Sequence, residues 1–235
     1  MAIKNILFDL DGTLLPMDLN VFLRDYMKRI SMKMAAYGYE PRALVDAIMT
    51  GTAAMVKNDG TKTNEECFFE AANAALGRNL EADKRHLEEF YLEEFDKIRP
   101  TCGYLPEADG VIKALKAMGY RLVLATNPIF PSIATEKRIM WAGVDRNDFE
   151  LFTTYEDSRH CKPNLDYYRD ILASLDLDPT ECLMVGNDVG EDMVAERLGM
   201  KVFLLPECLI NRRGEDISRF PQGKITDLLD FLKAL

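Results

Sequence analysis

Cysteine pairs, histidine clusters and long apolar runs are all missing from this 235-residue sequence. Its five cysteines are scattered, include no CxxC pair and are odd in number, which favours reduced thiols over a disulfide framework or a zinc site. His86 and His160 show no ligand-type spacing. No window of about 18 uncharged apolar residues occurs, and the N-terminus has no signal-type apolar stretch. We therefore predict a cytoplasmic protein with no membrane partner.

Positive charge is also scarce, because 39 acidic residues outnumber 29 basic ones and leave a formal net charge of -10. A surface of this sign repels nucleic acid and anionic membranes, so we expect neither as a partner. It also repels phosphate, so a site for a phosphorylated ligand needs a bound cation or a few well-placed cationic side chains. The length and composition suit a globular enzyme, built as one large domain or as a domain with an insert.

Five short apolar runs predict a parallel sheet. They are nearly continuous instead of alternating, as expected of strands that are covered on both faces. Amphipathic helical segments lie between most of them, which predicts a doubly wound α/β core. The runs cover residues 3–8, 120–125, 151–154, 182–185 and 201–205, and two of the clearest helical segments cover 107–118 and 165–175.

A long helical stretch separates the first two runs. Apolar residues recur at helical spacing along its first part, and Thr63 with Glu66 predicts a capping box at the start of a later helix. We predict that residues 16–99 form an all-helical inserted domain. Residues 1–15 and 100–235 then form the α/β core domain.

The sequence DLDGT at positions 9–13 follows the first predicted strand directly. Two carboxylates two residues apart at a strand end need a cation or a proton to coexist. Mg²⁺ suits them, because it prefers oxygen ligands and keeps coordination positions open for phosphate oxygens. Ligands of open parallel sheets bind at the carboxyl ends of the strands, so this position favours a functional site over a merely structural acidic loop.

Three further polar clusters follow in the same order as the predicted elements. Taken alone, each has an ordinary structural explanation: a polar strand end, a solvated loop lysine and a well-capped helix. Their positions relative to the first cluster make them candidates for phosphate binding, charge stabilisation and metal binding. The residues are Thr126 and Asn127 in the second cluster, Lys162 in the third, and Asn187, Asp188 and Asp192 in the fourth.

In this order the four clusters resemble the motifs of the haloacid dehalogenase (HAD) superfamily. The resemblance covers the whole chain, and the helical insert stands where that family carries its C1-type cap. It implies a Rossmann-like core, Mg²⁺ as the cofactor, and a phosphatase-like enzyme that acts on a small phosphorylated metabolite. It also implies a covalent aspartyl-phosphate intermediate.

Carried over residue by residue, the resemblance implies that Asp9 is the nucleophile. Asp11 is then the general acid for the leaving alcohol and the base for the water that follows. Thr126 and Asn127 bind the phosphate, and Lys162 stabilises the charge on the nucleophile and the phosphoryl group.

The implied Mg²⁺ ligands are the Asp9 carboxylate, the Asp11 main-chain carbonyl and the Asp188 carboxylate. Asp192 orients the lysine or a metal-bound water from just outside this set. The sequence departs from the family at Asn187, because many relatives place an acid immediately after the glycine of the fourth motif. We therefore expect Asp188 to be the ligand, with Asn187 contributing an amide oxygen or a supporting hydrogen bond.

Asp11 also discriminates among the reactions of the family. The dehalogenases lack an acid at this position, so phosphomonoester hydrolysis is the leading prediction. A sugar phosphomutase is the main alternative, because it shares the aspartate pair and differs in excluding water. A phosphonatase would need a buried cap lysine, which nothing in the insert marks. A non-catalytic binding protein is disfavoured because Asp9, Asp11 and Lys162 are all present, and the substrate and the oligomeric state stay open.

Overall fold

The computed structural model describes residues 2–235 and contains one five-stranded parallel sheet. Its strands are β1 (Asn5–Phe8), β2 (Arg121–Leu124), β3 (Leu151–Phe152), β4 (Cys182–Gly186) and β5 (Lys201–Leu204). Their order across the sheet is β3-β2-β1-β4-β5, so β1 is central and the winding direction reverses beside it. The buried apolar runs therefore form the two-sided sheet that the sequence predicts.

Residues 2–235 contain eight α-helices. The first five lie between β1 and β2, four of them in the insert, and the other three accompany the later strands, as predicted for a doubly wound core with a helical insert. None of the helices within residues 2–235 is long and apolar enough to cross a membrane. The helices are α1 (Leu19–Ala35), α2 (Pro41–Val56), α3 (Asn64–Leu76), α4 (Lys84–Glu93), α5 (Ala108–Ala117), α6 (Ser132–Ala142), α7 (Leu165–Leu175) and α8 (Asp227–Lys233).

The register of the central strands brings several loops to one edge of the sheet. Phe8, the last residue of β1, lies opposite Leu124 of β2 and Val185 of β4. The residues that follow these three strand ends therefore leave the sheet side by side. The polar clusters at positions 9, 126 and 187 are brought together for this reason.

Local sequence signals explain how the inserted helices begin and pack. The predicted capping box at α3 is confirmed: the Glu66 N–H donates to the Thr63 hydroxyl at 3.2 Å, and the Thr63 N–H donates to the Glu66 carboxylate at 2.7 Å. Tyr26 of α1 packs on the core residue Phe130, with ring centroids 5.3 Å apart. Aromatic contacts of this kind join the insert to the core.

The two connections between insert and core run side by side. Met17 and Cys102 form an antiparallel bridge, and the Gly103 N–H donates to the Pro16 carbonyl at 2.7 Å. A movement of the insert relative to the core therefore has to involve both connections.

Two local predictions need correction. The strand expected over 151–154 is shorter, Leu151–Phe152, and the main-chain N–H of Thr153 makes one more hydrogen bond to β2, to the Leu124 carbonyl at 3.2 Å. The helix that the fourth cluster would cap is absent: a turn at residues 189–192 follows β4 and leads into a short 3₁₀ segment, Met193–Leu198. That segment ends at Gly199, where φ is +90°.

Candidate active site

The carboxylate of Asp9 lies at the centre of the polar edge of the sheet. Its main-chain N–H donates to the Val185 carbonyl at 2.9 Å, so Asp9 extends β1 by one residue. The side chain is 10% exposed. Lys162 Nζ donates to Oδ1 at 2.9 Å and the Thr13 hydroxyl donates to Oδ2 at 3.1 Å. Both oxygens are therefore held in one orientation, as a positioned nucleophile requires.

A glycine allows the chain to turn directly after this residue. Gly12 has φ of +92°, which L side chains rarely adopt, and a Cβ at this position would collide with the Asn187 amide. The Gly12 N–H donates to the Leu15 carbonyl at 2.8 Å and closes the turn. Asn187 can therefore approach closely enough for its Oδ1 to accept from the Thr13 hydroxyl at 2.9 Å.

Asp11 forms an ion pair with Arg138, an α6 residue whose side chain is fully buried. Asp11 Oδ2 accepts this hydrogen bond, whereas the buried Oδ1 has no partner among the described residues. Burial raises the pKa of the Asp11 carboxyl above its ordinary value, Arg138 opposes that rise, and the charge of Asp9 adds to it. A raised pKa suits a group that must carry a proton to a leaving oxygen.

Lys162 is buried between two carboxylates. Its Nζ lies 2.6 Å from Asp192 Oδ1, in addition to the contact with Asp9. Burial alone lowers the pKa of Lys162, but the two carboxylates outweigh burial and raise the pKa well above its ordinary value. Asp192 Oδ2 in turn accepts the Asp188 main-chain N–H at 2.9 Å. The lysine is therefore a fixed cation beside Asp9, and it contacts Asp192, the aspartate expected to orient it or a metal-bound water.

Thr126 and Asn127 lie just beyond the end of β2. The Thr126 carbonyl accepts from the Thr153 hydroxyl at 2.6 Å and from the Tyr167 hydroxyl at 2.9 Å. Asn127 Nδ2 donates to Glu191 at 3.0 Å, while its buried Oδ1 has no partner within residues 2–235. These bonds immobilise the strand end that carries the predicted phosphate-binding groups.

Asn187 and Asp188 point to different neighbours. Asn187 faces the turn after β1, and its Nδ2 donates to the Cys208 carbonyl at 2.7 Å. Asp188 Oδ2 accepts from Arg212 at 2.5 Å, and its Oδ1 accepts the N–H groups of Gly190 and Glu191 at 2.8 and 3.0 Å. Every oxygen of the Asp188 carboxylate is therefore engaged within the protein.

Two cations of this site are absent from the sequence predictions. Arg138 lies on the buried face of α6, four residues after Ala134 and three before Trp141, and a charge on an apolar helical face was the signal that could have identified it. Arg212 lies in the loop after β5, and its side chain is 58% exposed. No sequence pattern marks Arg212, because a loop arginine is usually solvated.

Relatives of known name extend over most of the chain. YhcW of Bacillus subtilis (strain 168), whose name refers to a phosphatase, is 24% identical over 204 residues, which are 87% of this chain and 84% of YhcW. The pyrophosphatase PpaX of Bacillus cereus (strain G9842) is 22% identical over 234 residues, which are 99% of this chain and 97% of PpaX.

Solved structures share the fold at low sequence identity. A HAD phosphatase from Thermococcus onnurineus matches with a TM-score of 0.59 and 17% identity, covering 98% of both chains. A 2-haloacid dehalogenase from Pseudomonas syringae pv. Tomato DC3000 matches with a TM-score of 0.61 and 19% identity, covering 99% of both chains. Proteins named for two different reactions thus share this architecture, so the fold alone does not choose between them.

A family model for haloacid dehalogenase-like hydrolases matches residues 3–197. That span includes β1 to β4, the helical insert and every site residue predicted from the sequence. The model, the shared architecture and the cluster at the sheet edge agree with one another. The chain therefore belongs to the haloacid dehalogenase-like hydrolase family.

Proposed function

We propose that this protein is a Mg²⁺-dependent phosphomonoester hydrolase that acts on a small phosphorylated metabolite through an aspartyl-phosphate on Asp9. The observation that carries this proposal is the contact of Asp9 with the buried cation Lys162, with a second carboxylate, Asp11, two residues further on. The relatives named as phosphatase and pyrophosphatase support the hydrolysis of phosphoric esters. Asp11 argues against the dehalogenase reaction, as it did from the sequence.

In the first half-reaction, an oxygen of the Asp9 carboxylate attacks phosphorus. The bond between phosphorus and the leaving oxygen breaks, and Asp11 gives its proton to that oxygen. Lys162 stabilises the negative charge that spreads over Asp9 and the phosphoryl oxygens. The Thr126 hydroxyl and the N–H of Asn127 hold the phosphoryl group in line with the nucleophile.

In the second half-reaction, the Asp11 carboxylate takes a proton from a water molecule. The water oxygen attacks phosphorus, the bond between phosphorus and Asp9 breaks, and inorganic phosphate leaves. Asp11 therefore ends the cycle protonated, as it began. One residue can serve as acid and then as base because its pKa is raised by burial and restrained by Arg138.

The oxygen donors around Asp9 fit a hard divalent cation. Asp11 Oδ1 is a buried carboxylate oxygen without a partner in the described chain. Residues 2–235 hold no preformed group of three or more His, Cys, Asp or Glu ligands. Mg²⁺ needs none, because it typically binds one or two carboxylates and keeps several waters. When bound, the ion offsets the negative charge of the carboxylates and the phosphoryl group.

We propose that Mg²⁺ is held by the Asp9 carboxylate, the main-chain carbonyl of Asp11 and the Asp188 carboxylate. Asp188 has to exchange the guanidinium of Arg212 for the ion. Asn187 supports the site through Thr13, to which its amide oxygen is hydrogen-bonded.

We also propose that residues 16–99 act as a cap over the core formed by 1–15 and 100–235. Asn64, the first residue of α3, is fully buried and donates to the Pro128 carbonyl at 3.2 Å and to Cys161 Sγ at 3.3 Å. Pro128 follows Asn127, and Cys161 precedes Lys162. Closure of the cap is thereby coupled to the two loops that carry phosphate-binding and charge-stabilising groups.

The test is release of inorganic phosphate from an aryl phosphate in the presence of Mg²⁺. We expect release that EDTA abolishes and that Asp9→Asn abolishes, while Asp230→Asn, at a surface position, leaves it unchanged. An aspartyl-phosphate should be detectable by acid quench and mass spectrometry. Release that is equally fast in Asp9→Asn would refute the proposed nucleophile.

A further inference from the structure

A cavity of about 600 Å³ lies where the inserted helices meet the core. Helices α1 to α4 form most of its wall, and Leu80, Glu136 and the core segments 129–133 and 155–156 form the remainder. A volume of this size is typical of sites for small molecules. The wall is mainly apolar and includes Met27, Ile30, Ile48, Phe68, Leu87 and Ile133.

Phe130 places this cavity next to the proposed reaction site. Its ring lines the cavity, and the guanidinium carbon of Arg138 lies 4.5 Å from the ring centroid. Arg138 in turn pairs with Asp11, the proposed acid and base. Phe130 also follows the predicted phosphate-binding residue Asn127 by only three positions. Two side chains, those of Phe130 and Arg138, therefore connect the cavity to the carboxylate of Asp11.

Three hydroxyl groups of the wall are already hydrogen-bonded within the protein. The hydroxyls of Tyr26 and Tyr91 bond to each other at 2.8 Å. The Thr52 hydroxyl donates to the Ile48 carbonyl at 2.9 Å. A ligand rich in hydroxyl groups would lose its bonds to water here and gain few in return, which is costly for polar groups.

The charged residues of the lining also argue against an anionic ligand body. They comprise Lys84, Glu88, Glu136 and Glu156. Lys84 is paired with Glu65 and Glu136 is paired with Arg146, both at 2.5 Å, so the charge that remains is the negative charge of Glu88 and Glu156. A second phosphate or a carboxylate would be repelled there.

Apolar side chains of the lining also reach solvent. Met49 and Leu92 both line the cavity and are 53% and 60% exposed, respectively. Exposed residues of this kind form an apolar entrance through which an apolar group can pass. The apolar entrance, the apolar wall and the negative charge of the lining all favour an apolar ligand without an anionic group.

We propose that this cavity receives the leaving group of the substrate, and that this group is an alkyl or aryl alcohol without a second anionic group. The inference rests on the proposed phosphatase function and narrows its substrate class. Diphosphates, carboxylated phosphates and sugar phosphates are then poor substrates, while phosphate esters of apolar alcohols are good ones.

The experiment measures kcat/KM for methyl, propyl, pentyl and heptyl phosphate with Mg²⁺, with glycerol phosphate as the polar control. We expect kcat/KM to rise about fourfold for each methylene that enters the cavity. Two variants test the location: Thr52→Asp places a charge in the wall, and Met49→Trp narrows the entrance. Both should remove most of the chain-length gain.

Binding of an apolar alcohol gives a second readout. Heptan-1-ol should inhibit hydrolysis and displace the neutral fluorescent probe N-phenyl-1-naphthylamine, and Thr52→Asp should weaken both effects. Hydrolysis without a chain-length gain, or no inhibition by heptan-1-ol, would overturn the inference and leave the proposed function intact. Failure to hydrolyse any ester would overturn the proposed function, and the inference would fall with it.

Discussion

Arg138, which has no solvent exposure, donates a hydrogen bond to the carboxylate of Asp11. Its ring contact with Phe130 and a hydrogen bond to the Thr135 hydroxyl at 3.2 Å leave the guanidinium little freedom to move. The proposed acid and base is thus held by a core helix far away in sequence. This ion pair makes Asp11 sensitive to changes that never touch the substrate.

Arg138→Met should destabilise the protein and slow turnover. Breaking a buried ion pair typically costs about 3–5 kcal/mol, and we expect about 2–3 kcal/mol here because the Asp11 side chain keeps 19% exposure. Denaturant unfolding of Arg138→Met, Asp11→Asn and the double variant measures the coupling. Strictly additive effects would show that the pair contributes nothing, and Arg138→Lys should recover part of the loss.

We also expect Arg138→Met to change the pH dependence of kcat. Arg138 lowers the pKa of Asp11 against the effect of burial, so its removal should raise that pKa further. Because protonated Asp11 is needed for departure of the leaving group, the alkaline limb of kcat should move to higher pH in Arg138→Met. An alkaline limb of kcat at the same pH in Arg138→Met and in the unmodified protein would show that Asp11 does not donate this proton.

The raised pKa also has a consequence for stability. In the folded protein the pKa of Asp11 lies above its ordinary value of 3.8. The protonated carboxyl therefore contributes fully to the free energy of unfolding below pH 3.8, and this contribution is lost as pH rises through the folded-state pKa. In Asp11→Asn this dependence should disappear from plots of unfolding free energy against pH. The same variant should turn over slowly and accumulate phospho-enzyme, which a burst of alcohol release without matching phosphate release after rapid mixing can detect.

Arg212→Gln should tighten Mg²⁺ binding. The Arg212 guanidinium occupies an oxygen of Asp188, the proposed ligand, and its removal frees that oxygen and one unit of negative charge. We expect a Kd for Mg²⁺ that is up to about fivefold lower, since an exposed ion pair typically contributes only about 0.2–1 kcal/mol. Calorimetry and the Mg²⁺-induced rise in Tm measure this without turnover. An unchanged Kd would favour a site that does not use Asp188, and Asn187→Asp tests that neighbour directly.

Asn64→Ala should loosen the contact of the cap with the site loops. The substitution removes hydrogen bonds to Pro128 and Cys161 from a buried amide, which typically costs about 1–3 kcal/mol. We expect a lower kcat and a changed KM, and faster hydrogen exchange in the segments around Pro128 and Cys161. The matched control is Asn20→Ala at an exposed helical position. Equal effects of the two variants would remove Asn64 from any role in cap closure.

The strands and the order of the four clusters could be predicted because each depends on neighbouring residues. Continuous apolar runs indicate strands that are buried on both faces of a sheet, and the apolar periodicity of the insert indicates helices. Neither pattern depends on which elements the strand or helix contacts. The five-stranded parallel sheet confirms the predicted fold class, and the family model that matches residues 3–197 confirms the family. The domain boundaries and the roles of the site residues stay predictions, and the helix expected after β4 was wrong because a turn at Asp188 and Asp192 formed instead.

The sequence by itself determined the doubly wound sheet, the helical insert and the placement of Asp9 and Asp11 at the end of β1, since these follow from local apolar patterns and their order. Only the tertiary structure decided that Arg138 pairs with Asp11, that Arg212 engages Asp188, and that an apolar cavity adjoins Phe130. Arg138 and Asp11 are 127 positions apart, and such a contact depends on how packed elements meet, which no local pattern encodes.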